Sequence, residues 1–167
     1  RSELAALLGL NPTGFNAEFI DDLLPANIFP NVVLANPPFS SSAGRTTQNQ
    51  SKFGFRHVES ALRRLSNGGR FAIILGGSGS PRSLHGKAFW NSLQPDIRVT
   101  ASLDLPGQEY YRNGTTVGVT LIIGEKSSRA STEIVSLEKP ADIIASSVED
   151  AFEQALALGL RSSTQPE

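Results

Sequence analysis

Four runs rich in apolar residues (32–35, 70–75, 97–105 and 115–123) are separated by stretches whose apolar residues recur at helical spacing. Strands covered on both faces read as near-continuous apolar runs, and parallel neighbours need crossover helices. The alternation therefore predicts a Rossmann-like α/β fold, a doubly wound, mostly parallel sheet. A short strand is expected at 15–19 and a second at 32–35. A helix over about 51–66 follows, with Phe55, Val58, Ala61, Leu62 and Leu65 on one face and Gly68-Gly69 ending it. A strand at 70–75, a helix at 84–93 and a strand at 97–105 come next. Phe89 and Trp90 are expected to pack that helix onto the sheet. In 115–123, Val117, Val119, Leu121 and Ile123 alternate on one face, which suits an antiparallel edge strand. A last strand at 133–137 and a helix at 141–158, with Val148, Phe152, Ala155 and Leu156 as its apolar face, close the pattern. Residues 1–126 form the main unit, 127–160 a strand-and-helix extension and 161–167 a polar tail.

Composition narrows the chemistry. At 167 residues and 39% hydrophobic, the chain suits one domain with a proper core. No apolar run has membrane-spanning length and no secretory leader is visible, so a cytoplasmic location is expected. The absence of cysteine removes disulfides, thiolate metal sites and a cysteine nucleophile. His57 and His85 lack neighbours at metal-ligand spacing, so no metal site is expected. The net charge of −1 conceals an asymmetry: residues 45–98 hold nine Lys/Arg against two Asp/Glu, and the flanks hold six against fourteen. Arg45, Lys52, Arg56, Arg63 and Arg64 lie in the basic stretch. They suit either a phosphate backbone or, for the helical arginines, a solvated face.

Asn36-Pro37-Pro38-Phe39 stands directly behind the run Val32-Val33-Leu34-Ala35. In an α/β sheet, ligands bind beyond the carboxyl ends of the strands. Two prolines fix φ and restrict the residue before them, giving a stiff turn whose carbonyls no helix claims. The Asn36 side-chain oxygen and the Pro37 carbonyl can then accept both hydrogens of one exocyclic amino group, while Phe39 stacks on the ring that bears it. Such a grip directs the nitrogen lone pair at an electrophile, and catalysis by position and electrostatics needs no strong base. The plainer alternative is a turn that merely follows a buried strand.

Three pieces in order, Ala17-Glu18-Phe19, Asn36-Pro37-Pro38-Phe39, and Leu105-Pro106 through Tyr110-Tyr111 into Gly114-Thr115-Thr116-Val117, resemble the second half of the class I N6-adenine DNA methyltransferases that use S-adenosylmethionine (SAM). That family includes the modification subunits of type I restriction systems. The resemblance runs from Phe15 to Lys126. It implies that Glu18 and Phe19 contact the SAM adenine, and that Asn36, Pro37, Pro38 and Phe39 form the catalytic turn and border the cofactor through Asn36. Tyr111, with Tyr110 as the fallback, holds a flipped adenine against Phe39. Arg45 and Lys52 are the implied substrate contacts, and DNA is the implied partner. The same turn also serves methylation of guanine N2 in RNA and of glutamine amides in protein, and a methyltransferase-like fold can act as a non-catalytic binding module.

The family's glycine-rich SAM loop and acidic ribose-binding residue have no counterpart here. Residues 1–10 resemble the helix that follows that acidic residue. Gly76-Gly77-Ser78-Gly79 follows a strand, but Arg82 takes the third glycine position of a dinucleotide fingerprint, and Gly86-Lys87-Ala88 fails the P-loop pattern. This loop is expected to rim the target-base pocket. With no methionine and an initial arginine, the chain is expected to be a piece whose partners are the missing first half of the domain and a separate target-recognition region.

Overall fold

Val32–Ala35 (β1), Arg70–Gly76 (β2), Ile97–Leu105 (β3), Val119–Lys126 (β4) and Ala141–Ile144 (β5) hydrogen-bond into one sheet in the order β1-β2-β4-β3-β5. The structure is a computed structural model and describes residues 9, 17–37, 54–107, 118–127 and 141–162. β1 pairs parallel with β2 and β3 parallel with β5, whereas β4 is antiparallel to both β2 and β3. Four strands therefore share one direction.

The antiparallel strand, expected at an edge, lies inside the sheet. Its side chains explain the position. Val119, Leu121 and Ile123 pack on one face as their alternation predicts, but Thr120 and Ile122 on the other face are also 0% exposed. A strand with both faces covered belongs in the interior. Gly124 lets the strand pass Phe71, because an added Cβ would overlap that ring and the Arg98 carbonyl.

Helices Phe55–Arg64 (α2) and Leu84–Ser92 (α3) fall within the stretches expected to be helical. Together they cover one face of the sheet. Val58, Leu62 and Leu65 meet Phe71, Ile73, Leu75, Ile97 and Ile122, with Trp90 closing the cluster. The Trp90 ring lies parallel to Phe71 at 6.0 Å, and Phe89 stacks on Phe55 at 4.2 Å. Ser83 caps α3, its hydroxyl accepting the Gly86 N–H at 3.0 Å. Truncating Phe71 would cost roughly 3–5 kcal/mol, the usual loss for a buried aromatic.

Two sequence expectations are corrected. Residues 17–19 form a 3-10 turn that runs into the short helix Ile20–Leu23 (α1), not a strand. Asp21 and Asp22 occupy the first turn of that helix, where acidic groups are favoured. The helix expected over 141–158 is split: Ala141–Ile144 pairs with β3, and the helix Val148–Ser162 (α4) begins only afterwards. Ser147 marks the boundary, accepting the Asp150 N–H at 3.1 Å, while Asp150 accepts the Ser146 N–H at 2.8 Å. The inward face of α4 is Ala151, Ala155 and Leu158, and Val148, Phe152 and Leu156 are exposed. Small residues allow the helix to approach the sheet closely. The strand expected at 133–137 lies outside the described residues.

β3 carries a register shift between Val99 and Ala101. Strict alternation would put Ile97, Val99, Ala101, Leu103 and Leu105 on one face. The bulge sends Ile97 and Val99 to the α2/α3 side and Ala101, Leu103 and Leu105 to the α4 side. One strand thereby serves both cores.

Gly86 packs so close to the Ser80 carbonyl that any Cβ would overlap it, whereas Gly68 has open space but φ +73°. Gly86→Ala should cost about 1–3 kcal/mol or more through steric overlap, and Gly68→Ala about 1 kcal/mol through backbone strain alone. Urea unfolding midpoints of the two variants check this ranking.

Candidate active site

Asn36 follows the carboxyl end of β1 and is exposed, and Pro37 behind it is buried. The turn is therefore anchored by a proline while the amide side chain stays available. Pro38, Phe39, Arg45, Lys52, Tyr110 and Tyr111 lie outside the described residues.

Glu18 and Phe19 sit at the same end of the molecule as Asn36. β1 and β2 are parallel, so α2, which precedes β2, has its first turn toward the carboxyl end of β1. Arg56, in that first turn, holds its guanidinium 5.7 Å from the Phe19 ring centroid. Phe19 remains 43% exposed. An exposed aromatic beside an acidic residue suits the stacking of a purine, so the residues present fit one side of an adenine site; no glycine-rich phosphate cradle accompanies them among the described residues.

Sequence patterns give little sign of what holds this turn. The Asp21 side chain is only 8% exposed and lies within 3.3 Å of Arg56 and 3.2 Å of Arg63. Ser60, 0% exposed, donates its hydroxyl to Asp21 Oδ1 at 2.6 Å and accepts the Asp21 N–H at 2.9 Å. Burial pushes the Asp21 carboxyl up, but the Ser60 hydroxyl, Arg56, its own backbone amide and Arg63 together hold it below its ordinary value. Arg64 binds four carbonyls: Nη1 donates to Asp21 and Leu24 at 3.1 and 3.2 Å, and Nη2 to Pro25 and Ile28 at 2.5 and 2.8 Å. Its guanidinium also lies 5.0 Å from the centre of the Phe29 ring.

The helical arginines Arg56, Arg63 and Arg64 all have partners within the chain. They tie residues 17–28 to α2. The only sequence signal was an acidic pair directly after an acidic-aromatic motif, and the partners lie 35 to 43 residues away.

A second polar group lies at the same carboxyl end of the sheet, with Thr120 on β4 two strands from β1 and Asp104 on β3 three strands from it. A hollow of about 400 Å³ is lined by Gly77, Ser78, Asp104, Leu105, Gly118, Val119 and Thr120. The Gly77 N–H donates to the Gly118 carbonyl at 3.0 Å, which closes its floor. Thr120 donates its hydroxyl to Asp104 Oδ1 at 2.7 Å, and Arg82 pairs with Asp104 Oδ2. The glycine loop thus borders a depression at the carboxyl ends of β2 and β3.

A parallel-dominated sheet with one interior antiparallel strand is the architecture this chain shares with solved methyltransferase structures. Solved structures with this architecture include the methyltransferase subunit of a type I restriction-modification system from Streptococcus thermophilus, 21% identical with a TM-score of 0.61. The match covers 94% of this chain and 38% of that one. A component of a type I restriction-modification complex matches at 14% identity and a TM-score of 0.63, over 94% of this chain and 36% of that one. The chain therefore spans well under half the length of either. No family profile matches the sequence. No curated protein matches it either. The fold is shared, and the resemblance read from the motifs points to the same group of proteins.

Because its native pKa is depressed, Asp21 contributes stability that is present above its ordinary value of 3.8 and lost as pH falls through the lower folded value. Asp21→Asn should cost roughly 1.5–3 kcal/mol at pH 7, the range for hydrogen bonds to a charged group. The deficit relative to the native protein should shrink below pH 4. Urea midpoints at pH 7 and pH 3 measure both effects.

Proposed function

We propose that this chain is the target-base half of a SAM-dependent methyltransferase acting on the exocyclic N6 of adenine in DNA. The carrying observation is Asn36, exposed on a proline-anchored turn at the carboxyl end of β1, at the same end of the sheet as the exposed Phe19. Asn36 Oδ1 and the Pro37 carbonyl accept the two amino hydrogens and orient the nitrogen lone pair. Phe39 and Tyr111 sandwich the flipped base, with Tyr110 the fallback for Tyr111, and Pro38 keeps the turn stiff. Glu18 and Phe19 take the adenine of the cofactor. When bound, SAM supplies a methyl group on a sulfonium sulfur, which leaves with its bonding electron pair as the amino nitrogen takes the methyl. The proton then lost from nitrogen needs no dedicated base, since the adenine ring delocalises the charge that drives its release.

Arg45 and Lys52 are the proposed backbone contacts on DNA. Arg56, Arg63 and Arg64 are not part of this proposal, since their guanidinium groups already bind Asp21 or backbone carbonyls. The proposed partners are the first half of the methyltransferase domain and a target-recognition region. β1 supports the first: it is an edge strand among the described residues, and Val32 and Leu34 on its face away from α2 are 59% and 79% exposed. An exposed apolar face of this kind calls for a further covering layer.

Asn36→Ala, in a version carrying the complete domain, should lower methylation of adenine-containing duplex by about 10²-fold or more, the scale for losing one oriented polar contact. SAM binding should stay within a few-fold. Methylation left intact would overturn the catalytic role of Asn36. In calorimetry, SAM or sinefungin should bind a version extended toward the first half of the domain and not the 167-residue chain. Tight binding by the short chain would overturn the half-site reading.

A further inference from the structure

α2 has two faces with different tasks. Val58 and Leu62 bury themselves against the sheet, while Arg56, Ser60, Arg63 and Arg64 reach the segment that precedes β1. That segment carries Glu18 and Phe19 within three residues of Asp21. Asp21 receives the Ser60 hydroxyl and two guanidinium groups, and Arg64 gathers carbonyls spread over residues 21–28. A loop whose carbonyls converge on one planar fork has few other conformations open to it. No strand pairs with residues 17–28 among those described, so sheet hydrogen bonding does not fix them.

We propose that Asp21 and Arg64 are positioning residues for the cofactor: clamped to α2, they preset the turn bearing Glu18 and Phe19 in the form that receives the SAM adenine. The inference rests on the methyltransferase reading above. It adds that cofactor affinity is governed by a helix that contributes no cofactor contact of its own. Lysine cannot replace Arg64, since one ammonium with three donors cannot span four carbonyls in a plane. Asparagine at position 21 keeps the shape but lacks the charge that draws Arg56 and Arg63.

The test uses the protein with its complete domain and compares Arg64→Lys, Asp21→Asn and Phe19→Ala. The readouts are the calorimetric Kd for SAM, the salt dependence of DNA binding, and amide hydrogen exchange of residues 17–24. Arg64→Lys and Asp21→Asn should each weaken SAM binding about tenfold, near the loss of one charge-assisted hydrogen bond. Exchange at 17–24 should quicken, with kcat at saturating SAM within about threefold and the DNA salt slope unchanged. Those last two results separate positioning from general damage, which would lower kcat and global protection together. A shallower salt slope with unchanged SAM affinity would make Arg64 a phosphate contact and overturn the proposal. Weakened SAM binding in Phe19→Ala with none in the two clamp variants would overturn the clamp alone. Unchanged binding in Phe19→Ala would overturn the cofactor assignment of Phe19, and the clamp's purpose with it.

Discussion

β4 is hydrogen-bonded on both sides, and the rest of the sheet depends on that insertion. It lies between β2 and β3, which share a direction and are connected through α3, and as an antiparallel strand it satisfies both neighbours' backbone groups. Seven paired positions with β2 and eight with β3 make it the most extensively paired strand of the sheet. Its start also lines the hollow at the carboxyl ends of β2 and β3. Val119 and Thr120 stand opposite the ends of β2 and β3, so Thr120 can hold Asp104 where the glycine loop turns away. The same strand that completes the core thus builds one wall of the depression at the carboxyl end.

α2 plays the corresponding part on the other side of β1. Its apolar residues secure it to the sheet, and its polar residues then restrain a loop that the sheet does not reach. The energetic terms differ in kind. Burial of Val58 and Leu62 is non-directional and roughly proportional to area, about 25 cal/mol per Å². The Asp21 and Arg64 contacts are directional and specify one loop conformation. The arginines at 26% and 57% exposure would contribute little as isolated surface ion pairs. Sharing a carboxylate that is 8% exposed and that accepts the Ser60 hydroxyl makes them count.

Much of the fold was legible because its signals are local. The run 97–105 is a strand over those very residues, and Val119, Leu121 and Ile123 share a face as alternation requires. Helices were found by spacing, and Phe89 and Trp90 pack as expected. The failures were equally physical. Ala17-Glu18-Phe19 is too short for periodicity to separate a strand from a 3-10 turn. The stretch 141–158 has helix-forming composition throughout, and only pairing with β3 reveals that its first residues are extended. In the expected α4 stripe only Ala155 faces inward, together with Ala151 and Leu158 from outside it; the large side chains Val148, Phe152 and Leu156 were assumed to be inward and are exposed.

By itself the sequence determined the class of fold, the Asn36-Pro37 turn behind a strand and the acidic-aromatic pair before it, because periodicity, proline geometry and residue chemistry are carried by neighbouring positions. Tertiary structure alone decided that β4 lies inside the sheet, that β3 changes face at its bulge, and that Asp21 and Arg64 join elements some 40 residues apart. Each of those outcomes depends on which surfaces meet, and hydrogen bonds and ion pairs between distant segments leave no period along the chain.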